Sequence, residues 1–127
     1  MYKLEDDLVG NLADVLRLAP DVKIVITSSW REVYGLSELR HHFSSEIAVR
    51  IEGLTPLSRE ISPHIRYREI LAYLKRFHTP QTAWIAIDDD PEHYPIDAPV
   101  LIVDPEKGLG ADEANKLNTL LYSLALN

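Results

Sequence analysis

Two kinds of hydrophobic pattern alternate along the chain. Apolar residues recur at helical spacing in residues 4–19, 66–77 and from about 111 almost to the end. They form short, nearly continuous runs, rich in β-branched residues, at 22–27, 83–88 and 98–104. Such runs are typical of strands that are covered on both faces. We therefore predict helices for the first set of segments and buried strands for the second.

The remaining segments connect these elements. We predict a short helix around 37–44, an extended piece near 47–51 and a loop at 53–65, where glycine and proline recur. Strands that alternate with helices, without a hairpin signal between them, favour a parallel sheet with helices on both faces. The sequence thus predicts an α/β fold, and its length suits one domain over residues 1–127.

Composition removes several classes of function. The sequence has no cysteine, which excludes disulfides, thiolate metal sites and cysteine nucleophiles. The apolar runs are far shorter than the ~20 residues of a membrane helix, and the first residues lack the pattern of a signal peptide, so we expect a cytoplasmic protein without membrane contact. The net charge of -7 disfavours passive binding to a nucleic-acid backbone, although a local basic cluster could still hold phosphate.

Hydroxyl and basic residues stand where a phosphate site would be expected. Ligands of parallel sheets bind at the carboxyl ends of the strands, and the first predicted strand ends in Thr27 and Ser28. Hydroxyls and free backbone N–H groups suit a phosphate oxygen. Arg66 and Arg68 stand at the start of a helix, where the dipole disfavours cations unless an anion faces them. The alternatives are an ordinary polar turn and surface arginines paired with acids such as Glu69.

Three consecutive aspartates follow the strand at 83–88. Adjacent carboxylates repel one another, and a hard cation such as Mg²⁺ would neutralise Asp88 and Asp89 at the strand end. The alternative is a solvated turn in which Asp89 or Asp90 caps a short helix. His93 lies close enough in sequence to be a neighbour of this site.

The order of these motifs resembles the haloacid dehalogenase-like (HAD) superfamily. The segments "IVITSSWRE", "GLTP", "RYREI", "WIAIDDD" and "VDPEKGLG", from 22 to about 114, look like the small capless HAD domains of predicted bacterial RNA-repair proteins. The resemblance implies a three-layer, Rossmann-like parallel sheet. The matching positions are Thr27 and Ser28 for phosphate, Arg66 or Arg68 for the basic group, and Asp88 and Asp89 for Mg²⁺. Asp104 matches a frequent acidic position without an assigned role.

The superfamily's first strand, which ends in a nucleophilic Asp-x-Asp, is not visible in this sequence. The early aspartates, Asp6, Asp7 and Asp14, lie in or beside the first predicted helix. The resemblance therefore implies a sheet that lacks its first central strand, with Met1 as an internal or misassigned start. The flanking strands could close the gap by pairing directly, by accepting a strand from a second copy or by dimerising along exposed edges. We expect some form of self-association.

Two functions remain open at this point. The first is a HAD-like, Mg²⁺-dependent phosphatase-type domain that acts on a phosphorylated small molecule or nucleic-acid end, weak or inactive because no nucleophile is visible. The second is a non-catalytic module that binds phosphate, a nucleotide or a protein. A phospho-acceptor receiver domain is disfavoured, because its acidic pair precedes its hydroxyl in the chain and here the order is reversed.

Overall fold

The computed structural model describes residues 6–27, 34–57, 63–104 and 108–125. Within these ranges the chain alternates helices and short strands, and no helix is both long and apolar enough to cross a membrane. The elements are α1 (Asp6–Arg17), β1 (Ile24–Ile26), α2 (Leu36–His41), α3 (Ser45–Ala48), β2 (Ile51–Leu54), α4 (Ile65–Phe77), β3 (Ala86–Asp88), a 3-10 helix (Pro91–His93), β4 (Val100–Ile102) and α5 (Ala111–Ala125).

The strands form two separate parallel pairs. β1 pairs with β2, and β3 pairs with β4, each in parallel orientation. The predicted α/β class with parallel strands is therefore confirmed. In the part of the chain that is described, β1 and β3 do not pair with each other, so the first of the three expected ways to close the gap is not observed.

The connection between α2 and β2 differs from the prediction. The extended piece predicted at 47–51 is wrong in its first half, because α3 occupies Ser45–Ala48 and buries the Ile47 side chain completely. β2 then covers Ile51–Leu54, which takes in the start of the predicted loop. Gly53 lies in this strand, and a Cβ at this position would come within 2.6 Å of the Tyr73 hydroxyl oxygen, closer than a side chain tolerates. Close packing, and not a turn, explains this glycine.

α1 packs against both halves of the molecule. Val15 belongs to a core cluster with residues of β4 and α5, including Leu101 and Leu117. Its neighbour Leu16 belongs to a second cluster with Ile47 and Ile51. Successive residues of a helix point in different directions, so α1 can bury two faces at once. The two strand pairs are thus joined through this helix.

The end of α1 is fixed by Arg50. Its Nη1 donates to the main-chain oxygens of Ala19 and Val22, both at 2.9 Å, and its Nη2 donates to that of Leu16 at 2.8 Å. A cation is favourable at a helix C-terminus, where carbonyl groups lack partners within the helix. Because Arg50 directly precedes β2, these bonds set where the chain leaves α1 and enters β1.

Candidate functional site

The carboxyl ends of β1 and β3 meet at Arg66. Its Nη1 donates a hydrogen bond to the main-chain oxygen of Thr27, which directly follows β1. Its Nε lies 3.9 Å from Oδ2 of Asp88, the last residue of β3. The structure thus brings together one predicted residue from each of the hydroxyl, basic and acidic motifs. We call this place the rim.

The start of α4 holds Arg66 at the rim. His64 caps this helix in the left-handed region, with φ 59°, and its Nδ1 lies 3.2 Å from the main-chain oxygen of Glu92 in the 3-10 helix after β3. Arg66 also lies 3.7 Å from Oε1 of Glu69, whose side chain is 4% exposed. Arg66 is therefore paired with acids of the chain itself, as in the alternative of surface arginines. The Arg66 and Glu69 side chains are, however, largely buried.

Asp88 organises the turn after β3. Its Oδ1 accepts hydrogen bonds from the main-chain N–H groups of Asp89 at 2.7 Å and Asp90 at 3.1 Å. Its Oδ2 accepts the hydroxyl of Tyr94 at 2.8 Å. Burial, with the Asp88 carboxylate beside it, raises the pKa of the Tyr94 hydroxyl well above its usual range. The Asp88 carboxylate is thus held in one orientation by three donors.

Asp89 lies in an environment that disfavours its charge. Asp89 is exposed overall, but partial desolvation of its carboxyl raises its pKa, and the hydrogen bond and the charge of Asp88 raise it further. Asp90 has a different role, because its Oδ1 accepts from Glu92 N at 2.9 Å and caps the 3-10 helix. The capping alternative therefore holds for Asp90, while Asp88 and Asp89 form an acidic pair in which Asp88 lies 3.9 Å from Arg66 Nε.

Two residues of the rim were not predicted as site residues. The Thr55 hydroxyl, which follows β2, donates to Thr27 Oγ1 at 2.9 Å, and Thr55 is 4% exposed. Tyr94 is equally buried and holds Asp88. Thr55 directly follows β2, just as Thr27 directly follows β1. It was not predicted because residues 53–65 were interpreted as a loop, so no strand was expected to end before Thr55. Nothing in the sequence signals the contact of Tyr94.

The structure describes three of the other predicted positions, Arg68, His93 and Asp104. The Arg68 side chain is exposed, and no ion pair or hydrogen bond of it occurs among the described residues. Ser28 lies outside the described residues. His93 lies 3.5 Å from Oδ2 of Asp90. The main-chain oxygen of Asp104 accepts Gly108 N at 2.7 Å, in a turn where Gly108 has φ 63°.

The carboxylates of Asp88 and Asp89 are the candidate ligands for a metal ion. Among the residues that the structure describes, no group of three or more histidine or acidic side chains could hold a metal ion. Mg²⁺ does not need such a cage, because it keeps several waters and commonly binds one or two carboxylates together with phosphate oxygens. The hard oxygens of Asp88 and Asp89 fit that requirement, and a dication would relieve their mutual repulsion.

Comparison with known proteins gives a family match. Residues 1–114 match the family described as HAD domain in Swiss Army Knife RNA repair proteins, which confirms the predicted resemblance. No curated protein matches the chain, and no solved structure does. The match spans 114 of the 127 residues, from α1 to the start of α5. The chain therefore belongs to the family of HAD domains in Swiss Army Knife RNA repair proteins.

Proposed function

We propose that this HAD domain binds a phosphate group and Mg²⁺ at the rim, in the arrangement of a Mg²⁺-dependent phosphatase. The observation that carries the proposal is the position of Arg66, which contacts both Thr27 and Asp88. A guanidinium between a strand-end hydroxyl residue and a strand-end carboxylate can face a phosphate whose other oxygens meet the metal. We expect weak hydrolysis or none.

The proposed roles follow from the donors and acceptors present. Arginine carries five N–H donors. Within the described residues, Arg66 uses one of them in a hydrogen bond to the main-chain oxygen of Thr27. Its distances to Asp88 and Glu69 are those of ion pairs, so N–H groups remain for a phosphate. Thr27 and Ser28 supply hydroxyls. Asp88 and Asp89 would hold Mg²⁺, which when bound neutralises charge on the carboxylates and the phosphate.

The proposal includes the layout of the sheet. We take the two strand pairs as halves of one three-layer, Rossmann-like sheet with helices on both faces. Two findings support this layout: the carboxyl ends of β1 and β3 share Arg66, and α1 packs against both halves. In such a sheet ligands bind beyond the carboxyl ends of the strands, which is where the rim lies.

The expected ligand is a terminal phosphate. The family description names RNA repair, which favours a phosphorylated nucleic-acid end over a phosphorylated small molecule. With a net charge of -7, broad contact with a nucleic-acid backbone would be unfavourable, so recognition would centre on the end group. A cytoplasmic location suits this role and stays a prediction. Self-association through exposed sheet edges also stays one, and a monomer by light scattering at micromolar concentration would contradict it.

A non-catalytic binding module is the second candidate. It uses the same side chains for binding and needs no nucleophile. It fits the rim as described, where Arg66 contacts Thr27 and Asp88 and no residue is assigned as a nucleophile. The two candidates differ only in turnover, so binding and hydrolysis must be measured separately.

Calorimetric titration of tungstate, a phosphate mimic, tests the binding proposal. We expect saturable binding that strengthens when Mg²⁺ is present, and loss of that Mg²⁺ effect in Asp89→Asn. Absence of tungstate binding with Mg²⁺ at millimolar concentration would overturn the proposal. Release of phosphate from para-nitrophenyl phosphate then separates the candidates. Mg²⁺-dependent turnover that Asp88→Asn abolishes would exclude the non-catalytic module.

A further inference from the structure

The residue before α4 departs from the usual pattern of helix starts. His64 is the N-cap residue, yet its backbone lies in the left-handed region, with φ 59° and ψ 40°, and its side chain makes no capping hydrogen bond. Helix starts favour serine, threonine, aspartate, asparagine or glycine in extended conformation, and residues other than glycine are uncommon in the left-handed region. The requirements of α4 alone therefore do not explain a histidine at this position.

The His64 side chain contacts another element of the fold. Its Nδ1 lies 3.2 Å from the main-chain oxygen of Glu92, in the 3-10 helix that follows β3. A carbonyl oxygen can only accept a hydrogen bond, so Nδ1 carries the hydrogen and donates it. The main-chain oxygen of His64 accepts the N–H of Arg68 at 3.1 Å, which is a helical hydrogen bond of α4. His64 is thus held to α4 by its main chain and to the 3-10 helix by its ring.

A series of hydrogen bonds continues from Glu92 to the acidic pair. The Glu92 N–H donates to Asp90 Oδ1 at 2.9 Å, and the Asp90 N–H donates to Asp88 Oδ1 at 3.1 Å. Asp88 in turn lies 3.9 Å from Nε of Arg66, two positions after His64. These contacts form a closed series, which leaves the start of α4 at His64 and returns to it at Arg66.

The hydrogen bond of His64 supplies a restraint that the contact between Arg66 and Asp88 lacks. A separation of 3.9 Å is that of an ion pair and not of a hydrogen bond, and the energy of an ion pair changes slowly with distance. This contact therefore fixes the guanidinium relative to the carboxylate only loosely. A hydrogen bond is restricted in both length and angle. The bond from His64 to Glu92 therefore restricts movement of the 3-10 helix relative to α4.

We propose that His64 is a positioning residue of the rim. Its ring links the turn that carries Asp88 and Asp89 to the helix start that carries Arg66, and it thereby keeps the Mg²⁺ carboxylates and the phosphate-binding guanidinium at one separation. A displacement of about 1 Å is enough to weaken such a site. The effect on binding rests on the proposed function, because it requires that Mg²⁺ and phosphate share the rim. The link itself needs no ligand and can be measured separately.

His64→Asn and His64→Gly form a matched pair of variants. Asparagine and glycine both accept the left-handed backbone, so both variants should fold. Asparagine Nδ2 is the same number of bonds from Cα as histidine Nδ1, so its N–H can donate to the main-chain oxygen of Glu92. Glycine has no side-chain donor. The comparison of the two variants therefore isolates the side-chain hydrogen bond from the conformation of the backbone.

Amide hydrogen exchange, measured by NMR without any ligand, tests the link. We expect the amides of Asp90 and Glu92 to exchange at least about threefold faster in His64→Gly than in the unaltered protein, and within about twofold of the unaltered rate in His64→Asn. The amide of Leu74, inside α4, is the internal control, because a general loss of stability would speed its exchange as well. Unchanged exchange of Asp90 and Glu92 in His64→Gly would overturn the proposal.

Calorimetric titration of tungstate in the presence of millimolar Mg²⁺ tests the consequence for binding. We expect His64→Gly to bind tungstate at least about threefold more weakly than the unaltered protein, and His64→Asn to restore most of the affinity. His41→Asn is the control and should bind as the unaltered protein does, because His41 is exposed and its Nδ1 contacts Ser37 O within α2. Equal weakening in His64→Asn and His64→Gly would overturn the proposal, since the side-chain donor would then have no role.

The two measurements separate this inference from the proposed function. If the amides respond to His64→Gly while the unaltered protein binds no tungstate, the link is present and the proposed function is wrong. If the unaltered protein binds tungstate and His64→Gly binds it equally well, the proposed function stands and His64 does not position the site.

Discussion

Arg66 follows Thr27 by 39 positions in the chain, yet its guanidinium donates to the main-chain oxygen of Thr27. This contact determines which strand ends can act together, since the same side chain also reaches Asp88 at the end of β3. A hydroxyl residue and an acidic pair that are far apart in sequence thereby share one rim.

The first prediction separates the two arginines of α4. Arg66→Ala should weaken tungstate binding in the presence of Mg²⁺ by at least about tenfold, the value of one charge-assisted hydrogen bond. It should also lower the free energy of unfolding by about 1 to 3 kcal/mol, because the hydrogen bond to Thr27 and the ion pair with Glu69 are both lost. Calorimetry and urea unfolding measure the two effects.

Arg68→Ala is the matched control for this prediction. It removes the same charge two positions away on the same helix, from an exposed side chain. We expect neither binding nor stability to change by more than measurement error. Equal loss of binding in both variants would mean that overall charge, and not the rim geometry, attracts tungstate.

Local sequence patterns were sufficient to predict part of the site. Hydrophobic patterns located β1, β3 and β4 but not β2, and the rule that ligands bind at strand ends selected Thr27, Asp88 and Asp89. The pattern could not choose between Arg66 and Arg68, because both stand in the first turn of α4. Residues two apart do not share a helix face, so only the packing of α4 shows which one meets the strands.

The other features of the fold and the site could not be predicted, because no periodic sequence pattern accompanies the contacts that produce them. Tyr94 reaches Asp88 across an irregular turn, and no sequence rule places such a contact. Gly53 was misread because a glycine in a strand serves close approach while a glycine in a loop serves a turn, and the sequence looks the same in both cases. The separation of β1 from β3 also depends on tertiary packing, since each strand alone has an ordinary pattern.

The second prediction concerns the support of Asp88. Tyr94→Phe removes a buried hydroxyl that donates to Asp88 Oδ2 at 2.8 Å. A hydrogen bond to a charged group contributes about 1.5 to 3 kcal/mol, so the free energy of unfolding in urea at pH 7 should fall by that amount. Tyr122→Phe, at a side chain that is 68% exposed, should have no effect. Equal stability of the two variants would show that Tyr94 does not hold Asp88 in solution.

The third prediction is a pH dependence that Asp89 causes. The folded state raises the pKa of Asp89, through partial desolvation of its carboxyl and then through Asp88, although the residue is exposed overall, so it favours the protonated carboxyl. The contribution of Asp89 to stability is therefore complete below its unfolded pKa, about 3.9, and is lost as the pH rises through the higher folded pKa. Asp89→Asn should melt at a higher temperature than the unaltered protein at pH 7, with no difference below about pH 4.

Addition of Mg²⁺ tests the same carboxylate, because a bound dication should stabilise its charged form. Millimolar Mg²⁺ should raise the melting temperature of the unaltered protein at pH 7 and leave that of Asp89→Asn unchanged, because binding to the folded state alone stabilises it. Asp97→Asn, at an exposed position, is the control and should respond like the unaltered protein. A Mg²⁺ effect that persists in Asp89→Asn would place the cation elsewhere.

The last prediction tests the close packing of β2 against α4. A Cβ on Gly53 would lie 2.6 Å from the Tyr73 hydroxyl oxygen and 3.0 Å from a ring carbon of the same side chain, which is 6% exposed. Gly53→Ala should therefore cost about 1 to 3 kcal/mol through overpacking, more than the 0.4 to 1 kcal/mol that alanine contributes by restricting the unfolded chain.

A double-mutant cycle identifies the cause of that loss. Tyr73→Phe removes the oxygen that is nearest to the new Cβ, so Gly53→Ala should cost less in a Tyr73→Phe background than in the unaltered protein. Gly35→Ala is the control, because among the described residues the nearest atom to its Cβ would be Glu38 Oε1 at 3.7 Å, an ordinary contact. If urea unfolding gave Gly53→Ala the same small effect as Gly35→Ala, α4 would not lie against β2 as described.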